Sequence, residues 1–259
     1  MSDSTWRHPV RQRLEAGQPV FGITITTPGV EAAAHAATLG FHFLWVEMEH
    51  SPVTLETLRL MVLATRGLPA AVFARVPVVE TWTAKRVLDQ GVSGVIFPFA
   101  GTPEKAATAA AACRYPPAGK RGSGAGAAVR TWPQPGNYYD SADANIVAVC
   151  VVEEASALDH IDAIAATPGV DVLFIGPGDL SYALGCPGRL DDPRYRDALT
   201  AVLAAAANSG ISAGILVPNA AEARRHLELG FRFIAVGSDG AFVMNSARSI
   251  VSDFRAAAG

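Results

Sequence analysis

At 259 residues, half of them apolar and 17% charged, the chain suits one large domain whose sheet is covered on both faces. A net charge of -3 without any Lys/Arg cluster excludes a polyanion-binding surface, so no nucleic-acid partner is expected. Three scattered cysteines, a polar and charged beginning, and no apolar run near the roughly 20 residues of a bilayer span point to a cytoplasmic protein without signal peptide or membrane partner.

After an N-terminal segment, 1–19, short apolar runs alternate with helix-like stretches. Strands are expected at Val20–Thr26, Phe43–Glu49, Ala71–Val76, Gly94–Pro98, Val147–Glu153, Asp171–Gly176, Ser212–Val217 and Phe233–Gly237. Each is rich in Val, Ile, Phe or Leu without clean polar alternation, as in strands buried on both sides. Helices are expected at Glu31–Leu39, Leu55–Thr65, Thr83–Leu88, Pro103–Cys113, Ser156–Ala166, Arg194–Asn208, Ala221–Leu229 and Ser246–Ala257. The alanine-rich stretch 198–207 favours helix. Gly40, Gly91, Gly210 and Gly230 follow helices, where a left-handed residue is common.

Eight such pairs over about 250 residues predict a single (β/α)8 TIM barrel spanning 1–259. The rival, a doubly wound open sheet, usually carries a glycine fingerprint after its first strand. Here that turn reads TTPGVEAA, which does not match. The long stretch 115–144, YPPAGKRGSGAGAAVRTWPQPGNYYDSADA, has no expected element. Its GSGAGA follows Pro-Pro rather than a strand and lacks GK[ST], which argues against a phosphate loop. A mobile flap at the barrel mouth is expected instead.

A TIM barrel carries its chemistry at the C-terminal ends of its strands. Those ends read Thr26, Glu47-Met48-Glu49-His50, Arg75, Pro98, Glu153-Glu154, Gly176-Pro177-Gly178-Asp179, Val217 and Ser238-Asp239. The ionisable groups gather on strands two and three, then five and six. Glu153 and Asp179 fall on neighbouring strands, roughly 4.8 Å apart, within reach of one ion. Two carboxylates leave most of the about six positions of a hard divalent cation open to water and a chelating substrate. A structural role, in an ion pair or a helix cap, is the alternative for each. Glu153, however, ends the apolar run VAVCVV, where an unpaired charge is costly. His50 stands beside Glu47 and Glu49, which can orient it for proton transfer. Arg75, in FARVP, can pair with those glutamates or hold a developing oxyanion. His8, His35, His42, His160 and His226 read as packing or surface residues.

FLWVEMEHSP, ARVP, RYPPAGKRG, VVEEASAL and FIGPGDLS, taken in order from Gly22 to Gly237, resemble successive blocks of the HpcH/HpaI aldolases. These are class II pyruvate aldolases such as 4-hydroxy-2-oxoheptanedioate aldolase and 2-dehydro-3-deoxyglucarate aldolase. The resemblance implies a barrel of the phosphoenolpyruvate/pyruvate type that reversibly cleaves a 4-hydroxy-2-oxo acid to pyruvate, or a related 2-oxo acid, and an aldehyde. It implies Glu153 and Asp179 as ligands of Mg2+, Mn2+ or Co2+, His50 as the base and Arg75 as the oxyanion stabiliser. Asp89, in VLDQG, falls on the acid that raises the basicity of the histidine. Gly178 falls on a backbone contact to pyruvate, with Arg75 and Asp179 also at the substrate. A homohexamer of dimers that exchange their last helix is implied as well.

One implication strains the topology: Asp89 closes the third expected helix, at the face away from the site. Two residues also depart from the family. Glu47 replaces an Asp that normally pairs with the histidine, and Val151 replaces a Gln that contacts the bound pyruvate. Losing that contact costs about 1 kcal/mol. None of the three lysines, Lys85, Lys105 and Lys120, ends an expected strand, which argues against Schiff-base chemistry. An oxaloacetate-type decarboxylase and a non-catalytic 2-oxo-acid-binding barrel remain the alternatives.

Overall fold

The computed structural model describes residues 7–124, 126–132 and 136–258. Eight parallel strands close into a barrel in chain order. They are β1 (Val20–Ile25), β2 (Phe43–Glu47), β3 (Ala71–Arg75), β4 (Gly94–Phe97), β5 (Val147–Val152), β6 (Val172–Ile175), β7 (Ser212–Val217) and β8 (Phe233–Ser238). The helices are α1 (Pro9–Glu15), α2 (Val30–Ala37), α3 (Leu55–Ala64), α4 (Thr81–Leu88), α5 (Pro103–Ala112), α6 (Ala128–Thr131), α7 (Tyr138–Asn145), α8 (Ile161–Ala165), α9 (Pro177–Ala183), α10 (Pro193–Asn208), α11 (Ala220–Leu229) and α12 (Asp239–Ala258). A 3-10 helix, Ala155–His160, leads into α8. No helix among the described residues is long and apolar enough to cross a membrane.

Outward strand residues form one core with the helices, whereas the barrel interior holds a second, aromatic one. Phe43 stacks on Phe233 with centroids 4.2 Å apart, Phe73 lies 5.6 Å from Phe233, and Trp45 lies 4.7 Å from Phe174. Three of these five rings fit only because facing positions are bare. A Cβ on Gly22 would meet Phe43 at 2.5 Å, one on Gly94 would meet Phe73 at 2.2 Å, and one on Gly214 would meet Phe174 at 2.6 Å. Large and small residues alternate round the wall, so the interior is a solid floor.

The lower mouth is plugged. Val10 of α1 packs into the aromatic interior, with Leu14 against it. Arg11 pairs with Asp171, which also accepts from Ala148 N at 2.8 Å and Arg114 at 3.2 Å.

The described residues of 115–144 do not form a flap at the C-terminal mouth of the barrel. They connect α5 to β5, and such a connection lies at the N-terminal face. Residues 125 and 133–135 of this stretch lie outside the described residues. The rest is anchored: Trp132 donates to Gly91 O at 3.1 Å and Tyr115 N to Asp143 at 2.9 Å. Arg121, fully buried, bonds Tyr138 Oη at 3.0 Å and Asp89 at 3.2 Å.

Helix α12 starts seven residues before the expected 246, because Asp239 caps it and closes the barrel. Its carboxylate accepts from Thr26 N at 2.8 Å, Thr27 N at 3.1 Å and both threonine hydroxyls. Burial would raise the Asp239 pKa, but the bonds from Thr27 and Thr26 hold it below the usual range. Beyond that cap α12 leaves the barrel, with Val243, Ile250 and Phe254 exposed.

His8 caps α1 by accepting from Val10 N at its ring Nδ1, and its backbone N–H donates to Asn145 Oδ1 at 2.6 Å. Burial pushes its pKa down from 6.5 to about 4. The unfolded chain therefore binds this proton more readily, and the neutral ring stabilises the fold fully above pH 6.5. That contribution, about 3 kcal/mol at most, drains away as pH falls towards 4. Thermal unfolding between pH 7 and 4 is expected to show this acid loss, and His8→Asn, which keeps a capping acceptor, to flatten it.

Candidate active site

Alternation along each strand decides which side chains enter the barrel. On β2 the inward residues are Phe43, Trp45 and Glu47; on β3, Phe73 and Arg75; on β5, Val149 and Val151, with Glu153 one step past the strand end. A cavity of about 200 Å³ opens above the aromatic floor at the C-terminal face. Glu47, Arg75, Glu153 and Asp179 line it, together with Thr24, Val151, Gly178 and Leu216.

Glu47 is buried and fully used. One carboxylate oxygen accepts from the N–H groups of Glu49 at 2.7 Å and His50 at 3.0 Å. The other accepts from Trp45 Nε1 at 3.2 Å and Arg75 Nε at 2.5 Å. Of the two glutamates expected to orient His50, Glu47 instead faces Arg75 and the backbone of the turn carrying His50. The extra methylene of Glu over Asp lets the carboxylate curl back beneath its own turn. Glu49 takes the place beside the ring, at 3.6 Å from His50 Nε2, and lies 3.1 Å from Arg75. His50 itself is 63% exposed at the rim.

Glu153 is 2% exposed. Phe99, just past β4, adopts a left-handed backbone with φ 48°, and its N–H meets Glu153 Oε1 at 2.7 Å. Gly176 leaves room for the other oxygen, since a Cβ there would stand 2.7 Å from Oε2. Burial pushes the Glu153 pKa up to about 6; Phe99 N–H and Arg75 oppose this, and Glu49 and Asp179 add to it. Glu49 is likewise raised by burial first, with Glu47 and Asp179 adding repulsion against Arg75 and His50.

Asp179 occupies the first turn of α9, a helix that the Gly-Pro-Gly sequence concealed. Pro177 at its first position is pre-organised for helix. Glu153 and Asp179 thus meet at one cavity from adjacent strands, as the spacing predicted, because β5 and β6 pair side by side.

Among the described residues no three His, Cys, Asp or Glu side chains form a ready metal cage. The site nevertheless fits a cation. Glu153, Asp179 and Glu49 repel one another, and Glu49 Oε2 is sealed from water without a hydrogen bond. Oxygen-only donors suit a hard divalent ion.

Asp89 is not brought to His50 within one chain. It ends α4 at the opposite face and pairs with Arg121. Burial raises its pKa, against the hydrogen bond and charge of Arg121. Strand-end reading missed Thr24, Trp45 and the Phe99 N–H. Inward parity along β1 and β2 signals the first two; a backbone donor leaves no mark in sequence.

A family model described as HpcH/HpaI aldolase/citrate lyase matches residues 28–246. The chain is 36% identical to a hydroxypyruvate/pyruvate aldolase of Paraburkholderia phytofirmans, over 97% of this chain and 99% of that one. It is 41% identical to a 5-keto-4-deoxy-D-glucarate aldolase of Salmonella paratyphi C, over 78% and 80%. A crystal structure of an HpcH/HpaI aldolase/citrate lyase family protein from Burkholderia cenocepacia superimposes with TM-score 0.88 at 33% identity, covering 96% and 99%.

Among the described residues Arg75 is the cation that pairs with both the buried Glu47 and the half-buried Glu49. Arg75→Met is expected to lower stability by about 3 kcal/mol, because the buried Glu47 carboxylate loses its cationic partner and is left with neutral N–H donors alone. Urea unfolding measures this, and adding Glu47→Gln should recover part of the loss.

Proposed function

The chain belongs to the HpcH/HpaI aldolase/citrate lyase family, and on that footing we propose a divalent-metal-dependent pyruvate aldolase with its site at this cavity. The observation that carries the reading is the convergence of Glu153 and Asp179 on one pocket beside Arg75. Glu153 and Asp179 would hold Mg2+, Mn2+ or Co2+. When bound, such an ion supplies Lewis acidity to the carbonyl of a chelating 2-oxo acid.

The chain's own groups account for the rest. The first-turn N–H groups of α9, at Gly178 and Asp179, have no acceptor within the helix and face an anionic carboxylate favourably. His50 accepts the proton of the substrate's 4-hydroxyl. The C4–O bond becomes a carbonyl, the C3–C4 bond breaks, and its electron pair passes into the pyruvate enolate. Arg75 offsets the negative charge on the enolate oxygen. A proton returned to C3 completes pyruvate, and the aldehyde departs.

Glu49 orients His50 in this scheme, while Glu47 positions Arg75 and the turn. Asp89 joins only from a neighbouring copy, since its own barrel holds it at the far face. The exposed apolar residues of α12 support an assembly in which that helix packs on a partner, as in a hexamer of exchanging dimers.

Exchange of the pyruvate methyl protons in D2O, followed by NMR with a metal panel, tests enolate formation without any guess at the aldehyde. Exchange should require added metal and vanish in EDTA, in Glu153→Ala and in Asp179→Ala. Full exchange by either variant in EDTA overturns the metal assignment. Arg75→Lys should slow exchange at least tenfold, since lysine cannot reproduce the fork that faces Glu47 and Glu49.

A further inference from the structure

One polar group in the cavity has no partner in the fold and no task in the reaction. Thr24 lies on the inward face of β1, in register with Trp45, and is only 8% exposed. Among the described residues its hydroxyl makes no hydrogen bond to protein. It is not sealed, unlike the hydroxyls of Tyr115 and Tyr195, but looks into the cavity. Glu47 is saturated by four donors, Arg75 is engaged by Glu47 and Glu49, and Glu153 takes the Phe99 N–H. The wall near Thr24 is otherwise apolar, made by Trp45 and Leu216.

Position around the ring separates this hydroxyl from the acidic centre. In a closed barrel of eight strands in chain order, β1 stands opposite β5. Thr24 therefore faces Glu153 across the barrel axis. A three-carbon 2-oxo acid anchored on the β5–β6 wall leaves the β1 wall to the other half of the substrate. At that wall a single hydroxyl in apolar surroundings can discriminate, because a buried polar group left unpaired is costly. On the β5 side Val151 offers no hydrogen bond.

We propose that Thr24 is a specificity-determining residue whose hydroxyl bonds a hydroxyl carried by the aldehyde half, so that the site selects short hydroxyaldehydes over their alkyl analogues. This rests on the aldolase reading above. The side-chain oxygen can both donate to and accept from such a group.

Glycolaldehyde and propionaldehyde differ by a hydroxyl in place of a methyl and serve as the probe pair, with pyruvate as donor and metal present. The ratio of their kcat/KM values should favour glycolaldehyde about tenfold. Thr24→Val, close in shape but without the hydroxyl, should bring that ratio to about one. Thr24→Ser should keep it. A ratio unchanged in Thr24→Val, or a loss equal for both aldehydes, overturns the assignment. So does an effect confined to hydroxypyruvate against pyruvate as donor, which would place the contact on the other half. Absence of pyruvate methyl exchange in the unaltered protein is a different failure, that of the aldolase reading itself.

Discussion

The upper end of this barrel is organised by a shortage of positive charge. Four carboxylates, from Glu47, Glu49, Glu153 and Asp179, surround one guanidinium, Arg75. Only Glu47 is fully paid for in hydrogen bonds. Glu49 and Glu153 are left with raised proton affinity by burial and mutual repulsion. In the proposed reading a divalent cation would relieve Glu153 and Asp179, the acids with which Arg75 makes no direct ion pair among the described residues.

The aromatic layer below gives the site its rigidity. Phe43, Phe73, Phe174 and Phe233 occupy space surrendered by Gly22, Gly94 and Gly214, so the floor under Trp45 and Val151 has nowhere to give. Side chains held above such packing keep their geometry better than those on loops alone. His50 is the exception, standing exposed on the turn that Ser51 ties back to the Glu47 carbonyl.

Much of this was legible in the chain. All eight strands fall within a residue or two of their expected bounds, because a two-sided parallel strand writes an unbroken apolar run. Glu153 and Asp179 followed from spacing of one βα unit. Other features were hidden for physical reasons. Helix α9 begins with Gly-Pro-Gly, which reads as a turn until its first position is seen to suit proline. Helices α1, α6 and α7 were absorbed into polar segments with little periodicity. The 115–144 stretch was expected at the wrong face: its length without an expected element suggested a mobile flap, whereas a buried Arg121 and the Trp132 indole tether its described residues. Thr24 stands inside β1 rather than at its end, and only inward parity along the strand aims it at the cavity.

The plug formed by α1 has a consequence for traffic through the molecule. With Val10 wedged under the phenylalanines and Arg11 locked to Asp171, the tunnel that a barrel outlines is a blind well. Everything enters and leaves by the same door. Whatever is seated against the acids at the bottom of such a well lies behind anything held nearer the rim, so the two ends of a bound molecule differ in their access to solvent.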